Sequence, residues 1–308
     1  AHAAFLKQFA HKGRIFGRYC NMFDPIINIL QVGIARDINA PRSQFTKDNN
    51  FLYDAYYRFV SLFPDLLDIF DKLVDLPDGD LLLEDFANAM TVTRNQSRSD
   101  DVKGTKFAMS DWSRKDFKVP HPGGNNKGEA GYHHVDCARL IAPTNVDPVD
   151  EEARLKLVRL ETPRSPDSLC RVLYENENFR DRNAFLKHPY LVTCYKHIFC
   201  GPSSALEDAG ETGQHRQGNG DKHNIKEVSL QAIAYCACLV HFALSSQINF
   251  NYGGSSKGWQ YGRCDSLLSW WNERVYADCR SYTAETANDS AARKLQDEFR
   301  AEAEAEAR

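Results

Sequence analysis

The chain has 308 residues, 42% hydrophobic and 26% charged, with 18 Gly and 12 Pro, proportions that exclude wholesale disorder, collagen and Pro/Gly-rich low complexity. A net charge of −4 with a pI ≈ 6.2 excludes a uniformly basic nucleic-acid coat or a polybasic membrane binder. A mean hydropathy of −0.53, with no uncharged apolar run of ~18 residues, argues against an integral membrane protein built on helices.

The N-terminal segment Ala1-His2-Ala3-Ala4-Phe5 has neither a Met nor a charged-then-apolar signal pattern. It reads as part of something longer and leaves an upstream targeting segment open. Phe5, Phe9, Ile15, Phe16 and Tyr19 suggest a helix interrupted near Gly13. Asp24-Pro25 then reads as a cap and first helical position, leading into Ile26, Ile27, Ile29, Leu30, Val32 and Ile34. Leu52, Tyr56, Phe59, Val60 and Phe63 keep helical spacing up to Pro64. An amphipathic helix follows over 65–76, with Leu66, Leu67, Ile69, Phe70, Leu73 and Val74 on one side and Asp65, Asp68 and Asp75 opposite. A turn at 76–79 and a short helix over 81–90 complete an N-terminal bundle, 1–90.

Residues 91–131 change to Ser, Arg, Lys, Asp, Gly, Asn and Pro and read as a basic polar linker or loop. A short strand or extended segment is expected over 132–141, a charged helix over 150–158, a helix over 185–199 and a surface loop over 207–222. Residues 228–244 carry no Asp, Glu, Lys or Arg. At ~1.5 Å per residue they are short for a bilayer, so a central core helix is expected. Asp265 caps a further helix with Leu267, Leu268, Trp271 and Val275, closing a C-terminal helical region, 132–283. A terminal helix or tail occupies 284–308. The fold expected is mostly α, an irregular multi-helix bundle with long loops and at most minor β; the two helical regions could equally form one continuous domain.

Several stretches carry a resemblance. They are Arg18-Tyr19-Cys20-Asn21-Met22-Phe23-Asp24-Pro25, Arg98-Ser99-Asp100-Asp101 with Trp112 downstream, Tyr195-Lys196-His197-Ile198-Phe199 with Gly201-Pro202-Ser203-Ser204-Ala205, and Ser269-Trp270-Trp271-Asn272. In order and separation this set, covering roughly 18–276, resembles an uncharacterised domain family abundant in mushroom-forming fungi. The resemblance implies shared source and fold. It brings no activity, cofactor or catalytic residue with it.

The nine cysteines are odd in number and irregularly spaced, with no C-x-x-C pair. A chain long enough to build a core does not need a disulfide framework, so reduced thiols in an intracellular protein, cytoplasmic or nuclear, are expected. His133, His134 and Asp136 include the H-x-D spacing of a facial-triad iron site, which needs a third, distant His and a β-rich barrel. An element edge near a turn is the plainer account. Cys194, His197 and Cys200 recur every three residues and with His188 could hold zinc, although buried free Cys explains them as well. No cofactor is expected. The P-loop, nucleophile-elbow and H-E-x-x-H signatures do not occur.

Charge is divided along the chain. Residues 64–88 hold eight acids and one Lys, and residues 94–127 hold eight Lys/Arg against four Asp, with Phe107, Trp112 and Phe117 between them. Opposite blocks suit association, within the chain or between copies, with Asp65, Asp68, Asp75, Arg114, Lys115 and Lys118 as interface candidates. Trp270, which cannot share a core face with its neighbour Trp271, joins them. Basic residues alternating with aromatics also suit single-stranded nucleic acid through Arg94, Arg98, Lys103, Lys106 and Trp112, with Lys7, Lys12, Arg14 and Arg18 as accessories. The expected function is therefore a non-enzymatic structural or interaction protein, partnered with itself in an oligomer or filament or with another protein. The alternatives are nucleic-acid association and a metal-dependent enzyme at His133, His134 and Asp136. No membrane partner is expected.

Overall fold

The computed structural model describes residues 9–162, 169–206 and 218–250, together with Trp271 and Val275. Among the described residues the fold is mostly α, with ten α-helices and no strand. Two isolated antiparallel bridges, Pro143 with Cys170 and Tyr174 with Phe185, are the β-type pairings described. The described residues divide into two compact units, one up to Arg94 and one from Asn95 to Val275.

In the first unit, the helix Lys12–Ile15 runs into a π-helical turn, Phe16–Cys20. The interruption expected near Gly13 falls at His11, a turn residue just ahead of this helix, and Gly13 itself lies inside it. A Cβ there would lie 2.2 Å from the Met90 carbonyl oxygen, so the glycine permits close approach of two backbones. The helix Ile26–Ile34 starts one residue later than Asp24-Pro25 suggests. Asp24 is instead tied back to Asn21, whose Oδ1 accepts from the Asp24 N–H and whose Nδ2 donates to Asp24 Oδ2. Thr46 caps Lys47–Leu62, accepting from the Asn49 N–H at 3.1 Å. Pro64 breaks the chain before Asp65–Val74. The core is aromatic: Phe16 meets Phe59 edge-on at 4.9 Å and Phe70 meets Phe86 edge-on at 5.6 Å, the offset arrangement ring quadrupoles favour. Arg42 forks onto Asp54 at 2.7 and 3.1 Å.

The largest departure from expectation is the helix Gly79–Trp112, which continues through the segment read as linker from Thr91. Its inward positions Arg94, Ser97, Asp101, Thr105, Met109 and Trp112 recur every three or four residues and are buried. Four of these six are polar, so an apolar-period reading could not detect the helix.

In the second unit, residues 131–141 are a 3-10 turn, Gly131–His133, and the helix Val135–Ile141, in place of the expected strand. Asp150 caps Glu151–Val158. The expected helix over 185–199 begins only at Pro189, because Pro is suited to the first turn and Leu186 before it has a positive φ of 58°. Residues 219–222, read as loop, form a short helical turn, Asn219–Lys222. The helix Leu230–Leu244 is the buried centre and packs on Pro189–Phe199 and Val135–Ile141. Trp271 is fully buried, and its Nε1 donates to the Leu186 carbonyl at 2.9 Å. No helix among the described residues is long and apolar enough to cross a membrane. The expectations for 207–217, for Asp265, Leu267, Leu268 and Trp270, and for 284–308 lie outside the described residues.

Gly33 is a point of close contact in the first unit: a Cβ there would sit 2.0 Å from Tyr56 Cγ. Gly33→Ala should destabilise the folded chain by ~1–3 kcal/mol through overpacking, read as a lowered denaturant midpoint. An unchanged midpoint would show that the Tyr56 ring yields.

Candidate interaction surface

The turn between Asp65–Val74 and Gly79–Trp112 is tight because Gly79 lacks a side chain; a Cβ there would fall 1.8 Å from the Leu73 carbonyl oxygen. The turn sets Phe70, Leu73 and Leu83 opposite Ile34 and Ala35, at the end of Ile26–Ile34, across a groove of about 210 Å³. Phe70, Leu73 and Leu83 are buried, whereas Val74, Leu76 and Leu81 are 64%, 46% and 61% exposed. Asp68, Asp71, Asp75, Asp78, Asp80 and Glu84 are exposed along the same stretch, and Asp80 lines the groove itself. Asp65 is exposed and lies 3.7 Å from Lys12 Nζ. The sequence pointed to the acids; the groove was hidden, since it needs Ile34 and Ala35 brought beside residues some forty positions away.

The basic segment is divided by its helix. Lys103, Arg114, Lys115 and Lys118 are exposed, Arg98 and Lys106 half-buried, and Phe107 is 42% exposed. Arg114 pairs with Asp111 at 2.6 Å. Arg94 and Trp112, expected as nucleic-acid contacts, face inward instead: Arg94 donates to the Asp24 carbonyl, and Trp112 packs edge-on against the His197 ring at 5.3 Å. Lys12 and Arg18 are also buried. Burial lowers the Lys12 pKa against the opposing pull of Asp65, and the Lys12 ammonium sits 3.7 Å over the Phe63 ring. Lys7 lies outside the described residues.

Apart from His133, the residues read as possible metal ligands are buried or half-buried and engaged in backbone contacts or packing. His134 caps Val135–Ile141, its Nδ1 accepting from the Cys137 N–H at 3.2 Å, and its Nε2 lies 3.1 Å from the Pro120 carbonyl. Asp136 Oδ2 accepts from the Val119 N–H at 2.9 Å. Together they fasten 119–120 to the start of that helix. His133 is exposed. Cys194 is buried with its Sγ 3.8 Å from Thr105 Oγ1, and burial pushes the Cys200 thiol up to about 11, away from the thiolate zinc requires. Among the described residues no group of three or more His, Cys, Asp or Glu side chains converges as a metal site. The seven described cysteines are free thiols.

Polar residues whose packing roles the sequence did not reveal hold the second unit together. Lys127 is buried, and its ammonium donates to the Phe242 and Ser245 carbonyls at the end of Leu230–Leu244. Burial, with Lys106 second, brings its pKa down to about 8. Tyr190 donates to Asp116 Oδ2 at 2.8 Å. His188 caps Pro189–Phe199, its Nδ1 accepting from the Tyr190 N–H at 3.2 Å. His121 Nδ1 accepts from the Gly123 N–H at 3.1 Å.

Among the described residues, fold and surface thus define a mostly helical, two-unit protein with an apolar core and with exposed aliphatic residues and carboxylates side by side along 68–84. A model of DUF6698, a family of unknown function, matches residues 92–264, more than half of the chain, and the chain belongs to that family. The match takes in the motifs at 98–101, 195–199 and 201–205 and leaves 18–25 and 269–272 outside it. No curated protein and no solved structure matches the chain.

Burial is the main cause that holds both His121 and His188 down to about 4, against an ordinary value of 6.5. Between those pH values the unfolded chain takes up protons that the folded rings refuse. The stabilisation is therefore complete above pH 6.5 and is lost as pH falls toward 4, by about 1.4 kcal/mol per pH unit for each ring at the steepest. Urea unfolding from pH 7 to 4.5 should show this slope. His188→Asn keeps a capping acceptor and should flatten it; a variant with the wild-type slope would remove His188 as a contributor.

Proposed function

We infer that the protein works by association, building an oligomer or filament from copies of itself, with another protein as the alternative partner. The observation that carries the reading is the side-by-side placement of the groove and three well-exposed aliphatic residues, Val74, Leu76 and Leu81, within a run of exposed carboxylates. Exposed apolar side chains that gather and are rimmed by polar groups mark interaction sites. The groove is also smaller than the ≈300–1,000 Å³ typical of small-molecule pockets, which favours a protein side chain as its occupant. The free thiols of the described cysteines support a reducing, intracellular setting, and the motif resemblance supports a fungal source.

Light scattering of the purified chain should give a mass that rises with concentration and falls with added salt. A monomer at every concentration and salt tested would overturn self-association. Leu76→Ser with Leu81→Ser should weaken association about tenfold or more, while stability stays within about 0.5 kcal/mol, as for ordinary surface substitutions.

A second reading rests on exposed Lys103, Arg114, Lys115 and Lys118 in the same stretch as half-exposed Phe107: binding of single-stranded nucleic acid by phosphate neutralisation and stacking. A fluorescent single-stranded oligonucleotide titrated at rising salt decides it. Affinity that drops steeply with salt supports this reading, and no binding at low salt ends it.

A further inference from the structure

We propose that the groove of one copy receives the Phe107 segment of a second copy. The inference rests on the association reading above and names the two surfaces that meet. The groove supplies an apolar floor, Phe70, Leu73 and Leu83, walled by Ile34 and Ala35. The matching piece must therefore offer an exposed apolar side chain among cations. Lys103 and Phe107 are four residues apart on the helix Gly79–Trp112 and share a face. Lys106 lies over the Phe107 ring at 4.9 Å. Arg114, Lys115 and Lys118 follow just beyond the helix end, with Val119 47% exposed.

The charges agree in sign along both surfaces. Residues 103–118 carry five Lys or Arg against Asp111 and Asp116, and of these acids Asp111 pairs with Arg114 and Asp116 accepts from Tyr190. Residues 68–84 carry six exposed acids against Lys72. Facing copies thus set a net-positive segment against a net-negative one, which steers encounter and fixes orientation. The Phe107 ring would be the buried anchor, since aromatic residues dominate the energetic centres of interfaces. Groove and segment are different patches of the chain, so the contact closes as a reciprocal pair or ring, or runs on as a filament, depending on the rotation between copies. Either assembly uses the same contact.

The test is charge reversal on each surface with the full chain, read by sedimentation velocity at low and high salt. Asp71→Lys with Asp75→Lys reverses the groove side, and Lys115→Glu with Lys118→Glu reverses the segment side; all four residues are exposed. Each variant alone should associate at least tenfold more weakly than wild type. An equimolar mixture should recover to within a few-fold, because the intact segment of one variant meets the intact groove of the other. Phe107→Ser should weaken association similarly at both salt concentrations, and thermal melts check that every variant is folded. Wild type that associates while both reversals behave like it overturns this contact but leaves the association reading standing, as does failure of the mixture to recover. A wild type that stays monomeric overturns both.

Discussion

A helix with no charged residue, buried through most of its length, must satisfy its terminal backbone groups inside the protein, and the second unit is arranged around that constraint. In Leu230–Leu244 the Ser229 hydroxyl accepts from the Ala232 N–H at one end. At the other end water cannot reach the last carbonyls freely, and the Lys127 ammonium takes its place. An unpaired buried carbonyl costs free energy comparable to a lost hydrogen bond, and a charged donor offsets that cost more strongly than a neutral one. The ring of Phe242 lies 4.0 Å from the same ammonium, so the cation is held by a π face as well as by oxygens. Desolvation works against this, which is why the Lys127 pKa falls to about 8; the group still carries its charge near neutrality.

The long helix Gly79–Trp112 meets the same problem differently. Its inward face carries Ser97, Asp101 and Thr105, and the Tyr235 hydroxyl donates to Asp101 Oδ2 at 3.1 Å. Buried polar groups with partners specify one packing arrangement where apolar groups tolerate several. The cysteines share this role. Burial raises the thiols of Cys20, Cys137 and Cys238 to about 12, so near neutrality they behave as small packing groups and not as nucleophiles.

Among the described residues, Lys127, Asp101, His134, Asp136, His188 and Tyr190 hold helix ends and crossings, while the features open to a partner lie on the surface. The first unit gathers carboxylates and aliphatic residues around one turn, and the second exposes Lys103, Arg114, Lys115 and Lys118 in the same stretch of chain as Phe107. The proposed contact between copies uses two features of these surfaces: an apolar floor that no described side chain fills, and an aromatic ring that is 42% exposed.

The sequence by itself determined the helical class, the buried character of 228–244, the inward place of Trp271 and the acid-rich run at 64–88. Each follows from local information, namely apolar spacing, charge order, or the absence of charge over many residues. Only the tertiary structure decided that 91–112 is helix, that 132–141 is not extended, and that His134 and Asp136 hold a loop to a helix start. Those outcomes depend on partners distant in the chain. A polar side chain reads as exposed until the donor or acceptor that buries it is known, and a groove between Ile34 and Leu83 exists only once folding has brought its two sides together.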